Sequence, residues 1–323
     1  MPNNIKRNKM KIIWLIGVGT IGIEYTKVLK KLGYNIIAIG RGGESAKNYQ
    51  AETGVEPIEG GLDAFLSTSP TLPSHAIVAV NLQQLAPTTL SLVKYGVKNI
   101  LCEKPGFNSP DELEQVYQCV KDYEANVFYA YNRRFYASTL KAEEYIKEDG
   151  GVLSFNFEFT EWAHVIEKTN YSKDVLRNWF YANSSHVVDL AFFLGGQPKQ
   201  MECFTKGELS WHKPSNFSGA GISEKDALFS YQANWNAPGR WYVEILTTKH
   251  RLYFKPMETL QVQERGSVKV ELVPIDDTLD KLFKPGFYLE TKAFVEGHHL
   301  RLCSIDEQYM HLNNVYYKIM GLK

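Results

Sequence analysis

The sequence has 323 residues, of which 44% are hydrophobic and 22% are charged. These values are typical of a folded globular protein, and a chain of this length exceeds what one hydrophobic core usually serves, so two domains are expected. Lysine plus arginine and aspartate plus glutamate each number 36, so no net charge draws the protein towards nucleic acid or an anionic membrane surface. The composition therefore favours chemistry on small molecules.

The cysteines and the apolar runs exclude two further classes. The four cysteines are dispersed and lack the paired spacing of zinc sites and thiol redox motifs, so we expect reduced thiols, no metal and a cytoplasmic location. No apolar run reaches the roughly 18 residues needed to span a bilayer. We therefore expect no membrane partner.

Short apolar runs alternate with helix-like segments in the first third of the chain. Strands are predicted at residues 11–16, 35–39, 75–80, 97–102 and 127–131, and helices at 21–32, 86–95 and 111–123. This alternation predicts an α/β fold, a Rossmann-type doubly wound parallel sheet with helices on both faces. We expect this dinucleotide-binding domain to span residues 1–132.

After about Arg133 the apolar pattern changes to the two-residue alternation of half-buried antiparallel strands. A helix is predicted at residues 138–147, strands at 153–162, 200–205, 227–235, 241–247, 251–254, 260–264 and 268–273, and helices at 286–300 and 304–319. Residues 133–323 are thus predicted to form an α+β domain with a large, mainly antiparallel open sheet, whose C-terminal helix is able to pack back on the first domain.

A glycine-rich loop, Gly17-Val18-Gly19-Thr20-Ile21-Gly22, follows the first predicted strand and opens a predicted helix. In this context glycines permit a tight turn and allow a pyrophosphate to approach the helix N-terminus. Chance glycine loops are common, but the position of this one favours a cofactor site. We assign to it the loop residues Gly17, Gly19, Thr20, Ile21 and Gly22.

The ends of the second and third strands indicate which cofactor is bound. An acidic residue that binds the ribose 2′-hydroxyl of NAD is expected after the second strand, whereas this chain has Gly40-Arg41 there. An arginine can bind a 2′-phosphate, and Ser45 lies close enough to assist, so NADP is favoured while NAD stays possible. Arg41 could instead be a solvated loop residue. The third strand ends near Asn81 and Leu82, which we place against the cofactor, although Asn81 could equally cap the next helix.

The triplet Glu103-Lys104-Pro105 closes the fourth predicted strand and places a lysine at the rim of the cofactor crevice. A partly desolvated lysine beside a carboxylate can have its pKa moved towards the operating pH, as an acid or base for an alcohol requires. Pro105 makes a cis peptide bond accessible. We assign Glu103 and Lys104 to the cofactor site and Lys104 also to catalysis and substrate binding.

With the glycine loop, this triplet resembles the family of glucose-fructose oxidoreductase, inositol dehydrogenase and the rhizopine-catabolism protein. Residues 131–135, 183–190 and 284–287 resemble further family segments, so the resemblance covers essentially the whole chain. It implies that Lys104 is the general acid or base and that His186 binds or helps to deprotonate the reacting hydroxyl. Many members have an aspartate four residues before this histidine, where this chain has Ala182, which leaves open whether His186 only orients the substrate.

The substrate site is expected to contain Arg133, Trp162 and Asn183 in addition to Lys104 and His186. The Arg133-Arg134 pair could meet a phosphate or carboxylate on a nucleotide-linked or acidic sugar, or could form an interdomain salt bridge. Aromatic side chains such as Trp162 suit sugar rings, although large aromatic residues are also ordinary core residues. The sheet of the second domain offers a wide face of the kind that relatives use to form homo-oligomers.

These features favour an NADP-dependent sugar oxidoreductase that moves a hydride between nicotinamide and a carbinol or ketone carbon. A keto-sugar or nucleotide-sugar reductase or dehydrogenase in surface-glycan biosynthesis is the preferred function. The alternatives are an NAD-dependent catabolic dehydrogenase of polyols or inositol and a non-catalytic NADP-sensing regulator. The presence of both Lys104 and His186 argues against the regulator.

Overall fold

The computed structural model describes residues 11–322, which divide into two compact units. The first unit ends at Tyr131 and takes in a later segment, Leu282–Tyr309. The second unit contains Asn132–Lys281 and the residues from Met310 onwards. The sequence-based domains, 1–132 and 133–323 with a C-terminal helix able to pack back on the first domain, stay a prediction beside this division, in which the first unit also contains Leu282–Tyr309. Residues 1–10 of the predicted first domain lie outside the described residues.

The first unit is built on a six-stranded sheet in the order β14-β5-β4-β3-β1-β2, in which only the edge strand β14 is antiparallel. The strands are β1 (Ile12–Ile16), β2 (Asn35–Ile39), β3 (His75–Val78), β4 (Asn99–Glu103), β5 (Asn126–Ala130) and β14 (Cys303–Ser304). The four buried positions in β1 and all four in β3 explain why these strands appear in the sequence as continuous apolar runs.

The strand order becomes that of a dinucleotide-binding fold once one further pairing is included. Ile58 forms an isolated parallel bridge with Ile39, the last residue of β2. This bridge occupies the place of a strand that follows β2, so the chain order across the sheet matches the doubly wound order 3-2-1-4-5-6 with its third strand reduced to one residue. The order therefore reverses between β1 and β3, where such folds bind their ligand.

Helices of the first unit form two groups that pack separately. One group contains α1 (Thr20–Leu32), α2 (Glu44–Thr53) and α11 (Phe287–Glu296), and the other contains α3 (Gly61–Ser67), α4 (Leu82–Tyr95) and α5 (Pro110–Asp122). A short 3₁₀ turn, His299–Arg301, leads into β14. The third strand stops at Val78, two residues earlier than predicted, and Leu82 begins α4 instead of ending the strand.

The second unit is built on an eight-stranded sheet in the order β13-β12-β11-β10-β6-β9-β8-β7. Its strands are β6 (Ser154–Glu158), β7 (Pro198–Lys206), β8 (Asn216–Ser223), β9 (Leu228–Asn234), β10 (Tyr242–Leu246), β11 (His250–Phe254), β12 (Gln261–Glu264) and β13 (Val270–Leu272). All neighbours are antiparallel except β6 and β9, which are parallel. The predicted fold class, a Rossmann-type parallel sheet plus an α+β domain with a large antiparallel sheet, is confirmed.

The helices of the second unit are α6 (Ala137–Glu148), α7 (Ala163–Ile166), α8 (Lys173–Arg177), α9 (Ser185–Gly195), α12 (Ile305–His311, divided at Tyr309 between the units) and α13 (Tyr317–Ile319); α10 (Thr278–Leu282) ends at the unit boundary. The helix α6 packs on β11, and α13 packs on β7 and β8. The helix α9 packs on β6 and β10. Strand β9 alternates strictly between buried and exposed residues, and Phe155, Phe192 and Phe229 meet beneath it with ring centroids 5.1–5.8 Å apart. Within residues 11–322, every helix is too short or too polar to cross a bilayer.

Strands β6 and β8 of the second unit differ from the sequence prediction. The strand predicted at 153–162 ends at Glu158, and the following residues turn away from the sheet. Strand β8 was not predicted because its glycines and serines have low strand propensity. A Cβ on Gly219 would overlap the Tyr231 ring, and one on Gly221 would overlap the Gln200 carbonyl, so the close packing of the neighbouring strands requires these glycines.

A buried ion pair ties the segment after β5 to helix α9 inside the second unit. Arg134 donates from Nε to Asp189 Oδ2 at 2.9 Å and from a second nitrogen to Oδ1, and both residues are 1% exposed. The guanidinium also lies 4.8 Å from the Phe193 ring centroid. The two parallel hydrogen bonds compensate two charges that would be costly to bury alone.

Replacing Asp189 with Asn should lower the free energy of unfolding by about 3 kcal/mol, because it leaves the buried Arg134 charge uncompensated. Lys199→Met, which breaks the exposed Lys199–Asp226 pair, should cost less than about 1 kcal/mol. Urea denaturation of both variants measures the two losses. Equal losses would contradict the structural importance of the buried pair.

Candidate active site

A cleft of about 380 Å³ opens at the reversal point of the first unit's sheet. It is lined by the ends of β1, β2 and β3 and by the starts of the helices that follow them. The lining residues that the sequence assigned to the cofactor are Gly17, Gly19, Arg41, Ser45 and Asn81. The remaining assigned residues of the loop, Thr20, Ile21 and Gly22, form the first turn of α1, and Leu82 begins α4 outside the lining of the cleft.

The glycine loop is shaped by close backbone contacts. Gly17 has a φ of 111° and donates its backbone N–H to the Ile39 carbonyl at 2.9 Å. A Cβ on Gly17 would overlap the Ala79 carbonyl oxygen, and one on Gly22 would overlap the Gly17 carbonyl oxygen. A Cβ on Gly19 would meet no atom within 4 Å. The fold thus requires glycine at 17 and 22, whereas glycine at 19 leaves open space at the N-terminus of α1, as an approaching pyrophosphate needs.

Both signs of charge line the end of the cleft next to β2. Arg41 and Ser45 are the two residues expected to hold a 2′-phosphate, and both belong to the lining. Asp63, near the start of α3, lines the same cleft and was not anticipated. Asn81 precedes α4 and occupies its N-cap position, but its side chain makes no capping hydrogen bond.

The Glu103-Lys104-Pro105 segment is held by hydrogen bonds within the first unit. Tyr25 donates its hydroxyl to Glu103 Oε1 at 2.8 Å, and Gln308 donates Nε2 to the Pro105 carbonyl at 2.9 Å. The Lys104–Pro105 peptide bond is cis, and Lys104 is half-buried. Burial raises the pKa of Glu103, which the hydrogen bond from Tyr25 opposes. The loop that carries Lys104 is therefore fixed from both sides.

In the second unit, His186 follows a short π-helical turn, Phe180–Ser184, that leads into α9. His186 is 7% exposed, and its ring centroid lies 6.4 Å from that of Trp241. Such π-helical turns are frequent at functional sites. Asn183 and Ser184 belong to this turn, and both point to one carboxylate.

That carboxylate belongs to Glu161, which is 1% exposed. Asn183 donates Nδ2 to both Glu161 oxygens at 3.0 and 3.1 Å, Ser184 donates Oγ at 2.8 Å, and the Arg240 guanidinium lies 3.6 Å away. Burial raises the pKa of Glu161 to about 7, while the Ser184 hydrogen bond and the Arg240 charge oppose the rise. The carboxylate that the sequence lacks at position 182 is thus supplied to the same turn from a distant segment.

Arginines and tryptophans surround this carboxylate within the second unit. The Arg133 guanidinium lies 4.9 Å from the Trp241 ring centroid, and the Arg240 guanidinium lies 4.5 Å from it. Arg240 also lies 4.8 Å from the ring centroid of Trp162, whose Nε1 donates to the Gly239 carbonyl at 2.9 Å. The structure therefore brings together four of the substrate residues expected from sequence, namely Arg133, Trp162, Asn183 and His186, around Trp241 and Glu161.

Sequence reasoning missed Tyr25, Gln308, Glu161, Arg240 and Trp241. The strand predicted at 153–162 includes Glu161, whereas the strand ends at Glu158. Arg240 directly precedes and Trp241 begins the strand predicted at 241–247, and nothing in a strand pattern marks them as site residues. Tyr25 and Gln308 act through contacts that are 78 and 203 positions apart in the chain, which no local pattern reveals.

The fold and the glycine-loop cleft define an NAD(P)-dependent oxidoreductase. Residues 12–131 match the model of the Gfo/Idh/MocA family, which is described as an oxidoreductase family with an NAD-binding Rossmann fold. This part of the chain is similar to that family, and the resemblance seen in the glycine loop and in Glu103-Lys104-Pro105 is confirmed.

Solved structures of similar fold cover almost the whole chain. Levoglucosan dehydrogenase in complex with NADH and levoglucosan has a TM-score of 0.76 and 17% identity over 97% of this chain and 98% of its own. UDP-N-acetylglucosamine 3-dehydrogenase from Acidithiobacillus ferrooxidans has a TM-score of 0.72 and 14% identity over 97% and 98%. An oxidoreductase from Agrobacterium radiobacter in complex with NAD⁺, L-tartaric acid and magnesium has a TM-score of 0.72 and 15% identity over 96% of both chains. A search of curated protein sequences found no significant match.

Gly19→Ala should leave thermal stability unchanged, because the added Cβ meets no atom, but should weaken binding of NADPH and NADH at least about tenfold by obstructing the pyrophosphate. Gly17→Ala, which forces an overlap with the Ala79 carbonyl, should lower the melting temperature itself. Fluorescence titration and thermal melts separate the two effects. Unchanged cofactor affinity in Gly19→Ala would remove the loop from the cofactor site.

The raised pKa of Glu161, about 7, predicts a pH-dependent stability difference from Glu161→Gln. Between about pH 4.5 and 7 the folded state holds a proton that the unfolded state has lost, so the wild type loses stability as the pH rises, by up to about 3 kcal/mol relative to the variant. Urea denaturation from pH 5 to 8 measures this difference. The exposed Glu202→Gln is the control and should differ from the wild type by a constant amount. A constant difference for Glu161→Gln would refute the raised pKa.

Proposed function

We propose that this protein is an NADP-dependent sugar oxidoreductase that interconverts a carbinol and a ketone, with Lys104 transferring the hydroxyl proton. The observation that carries the proposal is the half-buried Lys104 on a loop held by Tyr25 and Gln308, in the unit that contains the glycine-loop cleft. Because β3 and β4 are parallel neighbours, their carboxyl ends share one edge of the sheet. Lys104 therefore follows the strand next to the one that ends at the cleft.

The residues of the cleft fit a dinucleotide. The open space at Gly19 suits a pyrophosphate, and the guanidinium of Arg41 with the Ser45 hydroxyl suits a 2′-phosphate, which supports NADP. When bound, the nicotinamide supplies or accepts the hydride. Asp63 in the same cleft instead suits a ribose 2′-hydroxyl, and this favours the second candidate, an NAD-dependent polyol dehydrogenase.

The protein groups divide the remaining work in this mechanism. Lys104 gives or takes the hydroxyl proton, and its fixed loop limits the motion that would misalign it. His186 orients the reacting hydroxyl, and the turn that precedes it is held by the hydrogen bonds of Asn183 and Ser184 to Glu161.

The proposed substrate is a sugar, free or nucleotide-linked. Support comes from the aromatic side chains near His186 and from two structures of similar fold, levoglucosan dehydrogenase and UDP-N-acetylglucosamine 3-dehydrogenase. We further propose that the reaction belongs to surface-glycan biosynthesis in the cytoplasm and that the open sheet of the second unit pairs copies into a homo-oligomer.

Lys104→Met should reduce kcat for the accepted sugar at least about 100-fold, the size typical of a lost general acid or base. The assay is turnover of keto-sugars, free and nucleotide-linked, with NADPH and with NADH. Lys94→Met, on the exposed last turn of α4, is the matched control and should retain full activity.

Near-wild-type turnover in Lys104→Met would refute the proposed mechanism. A preference for NADH over NADPH would refute the role of Arg41 and favour the polyol dehydrogenase. Cofactor binding without turnover of any sugar in the panel would contradict the proposed function as a whole.

A further inference from the structure

Five side chains of the second unit form what we name the arginine–tryptophan cluster: Arg133, Tyr136, Trp162, Arg240 and Trp241. Two guanidinium groups contact the Trp241 ring: that of Arg133 lies 4.9 Å and that of Arg240 4.5 Å from the ring centroid. Arg133 also lies 5.8 Å from the Tyr136 ring, and Arg240 lies 4.8 Å from the Trp162 ring. Each arginine is therefore held between two aromatic rings.

Stacking of this kind leaves the hydrogen-bonding edge of a guanidinium available. The ring interacts with the flat face of the group, whereas the N–H bonds lie in its plane. Nε of Arg133 is shielded from water and has no hydrogen-bond partner among the described residues. A shielded N–H without an acceptor costs free energy, which a ligand that supplies the acceptor would recover.

The carboxylates around the cluster do not balance its two positive charges. Glu161 lies 3.6 Å from Arg240, but its oxygens already accept hydrogen bonds from Asn183 and Ser184. Glu258 is the other carboxylate whose charge acts on Arg133; it is exposed and lies in the loop that follows β11. Arg133 and Arg240 therefore have only one buried carboxylate near them among the described residues, Glu161, and its oxygens already accept other hydrogen bonds.

We propose that the arginine–tryptophan cluster binds an oxyanion of the substrate, a carboxylate or a phosphate, so that the enzyme acts on acidic sugars. This inference rests on the proposed function and names its substrate class. The planar forks of Arg133 and Arg240 match either oxyanion, and Trp162, which is 48% exposed, offers an apolar rim for the sugar ring. The position of His186 near Trp241 places the orienting histidine next to the same anion site.

Binding of matched sugars to the full-length protein tests this proposal. The probes are glucose, gluconate, glucose 6-phosphate and UDP-glucose, titrated by calorimetry at low and high NaCl without cofactor. The acidic probes should bind at least about tenfold more tightly than glucose, and this advantage should shrink with salt because charge-assisted hydrogen bonds carry it. The probe that gains most identifies the carboxylate or the phosphate as the oxyanion.

Variants then assign the advantage to the cluster. Arg133→Met and Arg240→Met should each weaken binding of the acidic probes at least about tenfold more than binding of glucose, and Arg133→Lys should recover only part of the loss, since lysine lacks the planar fork. Arg265→Met, at an exposed position in the same unit, should change nothing. Circular dichroism of each variant confirms folding, and the lysine variant keeps the test valid if the methionine variants unfold.

Equal affinity of the wild type for glucose and for all acidic probes would overturn the inference. If the arginine variants lost affinity for glucose and for the acidic probes to the same extent, the inference would also be overturned, because the arginines would then have only a structural role. Turnover of neutral sugars without any preference for acidic ones would sink the inference and leave the proposed function standing. Failure of the proposed function would show instead as binding of acidic probes without turnover of any sugar.

Discussion

The backbone of Gly17 lies so close to the Ala79 carbonyl that no side chain fits between them, and the cofactor cleft depends on this contact. It draws the end of β1 against the end of β3, while the Gly17 N–H is bound to Ile39 at the end of β2. The loop must then turn sharply and start α1 with its amide groups facing the open side. A binding site for a phosphate anion therefore follows from a steric constraint between three strands.

A second constraint organises the other unit. A carboxylate as deeply buried as that of Glu161 needs several donors, and it obtains them from consecutive residues, Asn183 and Ser184. Because both donors lie in one π-helical turn, their common acceptor fixes the turn that leads into His186. A carboxylate at position 182 would lie within the turn itself. Here a residue after β6 brings it from outside, which makes the direction of the helix start dependent on the loop after that strand.

The sequence predicted what local periodicity and turn chemistry control. The parallel strands of the first unit, the glycine loop and the position of Lys104 just after β4 all follow from apolar runs and motif spacing. Strand β8 was not predicted because glycine has low strand propensity. Its glycines are required by tertiary contacts with Tyr231 and Gln200 on the neighbouring strands, which no local pattern shows. Glu161 escaped for a related reason, since a two-residue alternation that continues past Glu158 does not reveal where the chain leaves the sheet. The family resemblance located His186, but the alanine at position 182 gave no indication that Glu161 supplies a carboxylate to the same turn.

The charge of Glu161 depends on burial, which favours the protonated carboxyl, and on its hydrogen bonds and the charge of Arg240, which favour the carboxylate. Burial favours a protonated Glu161, and its pKa of about 7 means that the proton is only half retained near neutrality. When Glu161 is protonated, the two arginines on Trp241 face no buried negative charge, and when it is ionised, Arg240 gains a partner at 3.6 Å. If the cluster binds an anion as proposed, its affinity should weaken as the pH rises through 7, because the ionised Glu161 then competes for Arg240. Binding of a neutral ligand should show no such pH dependence.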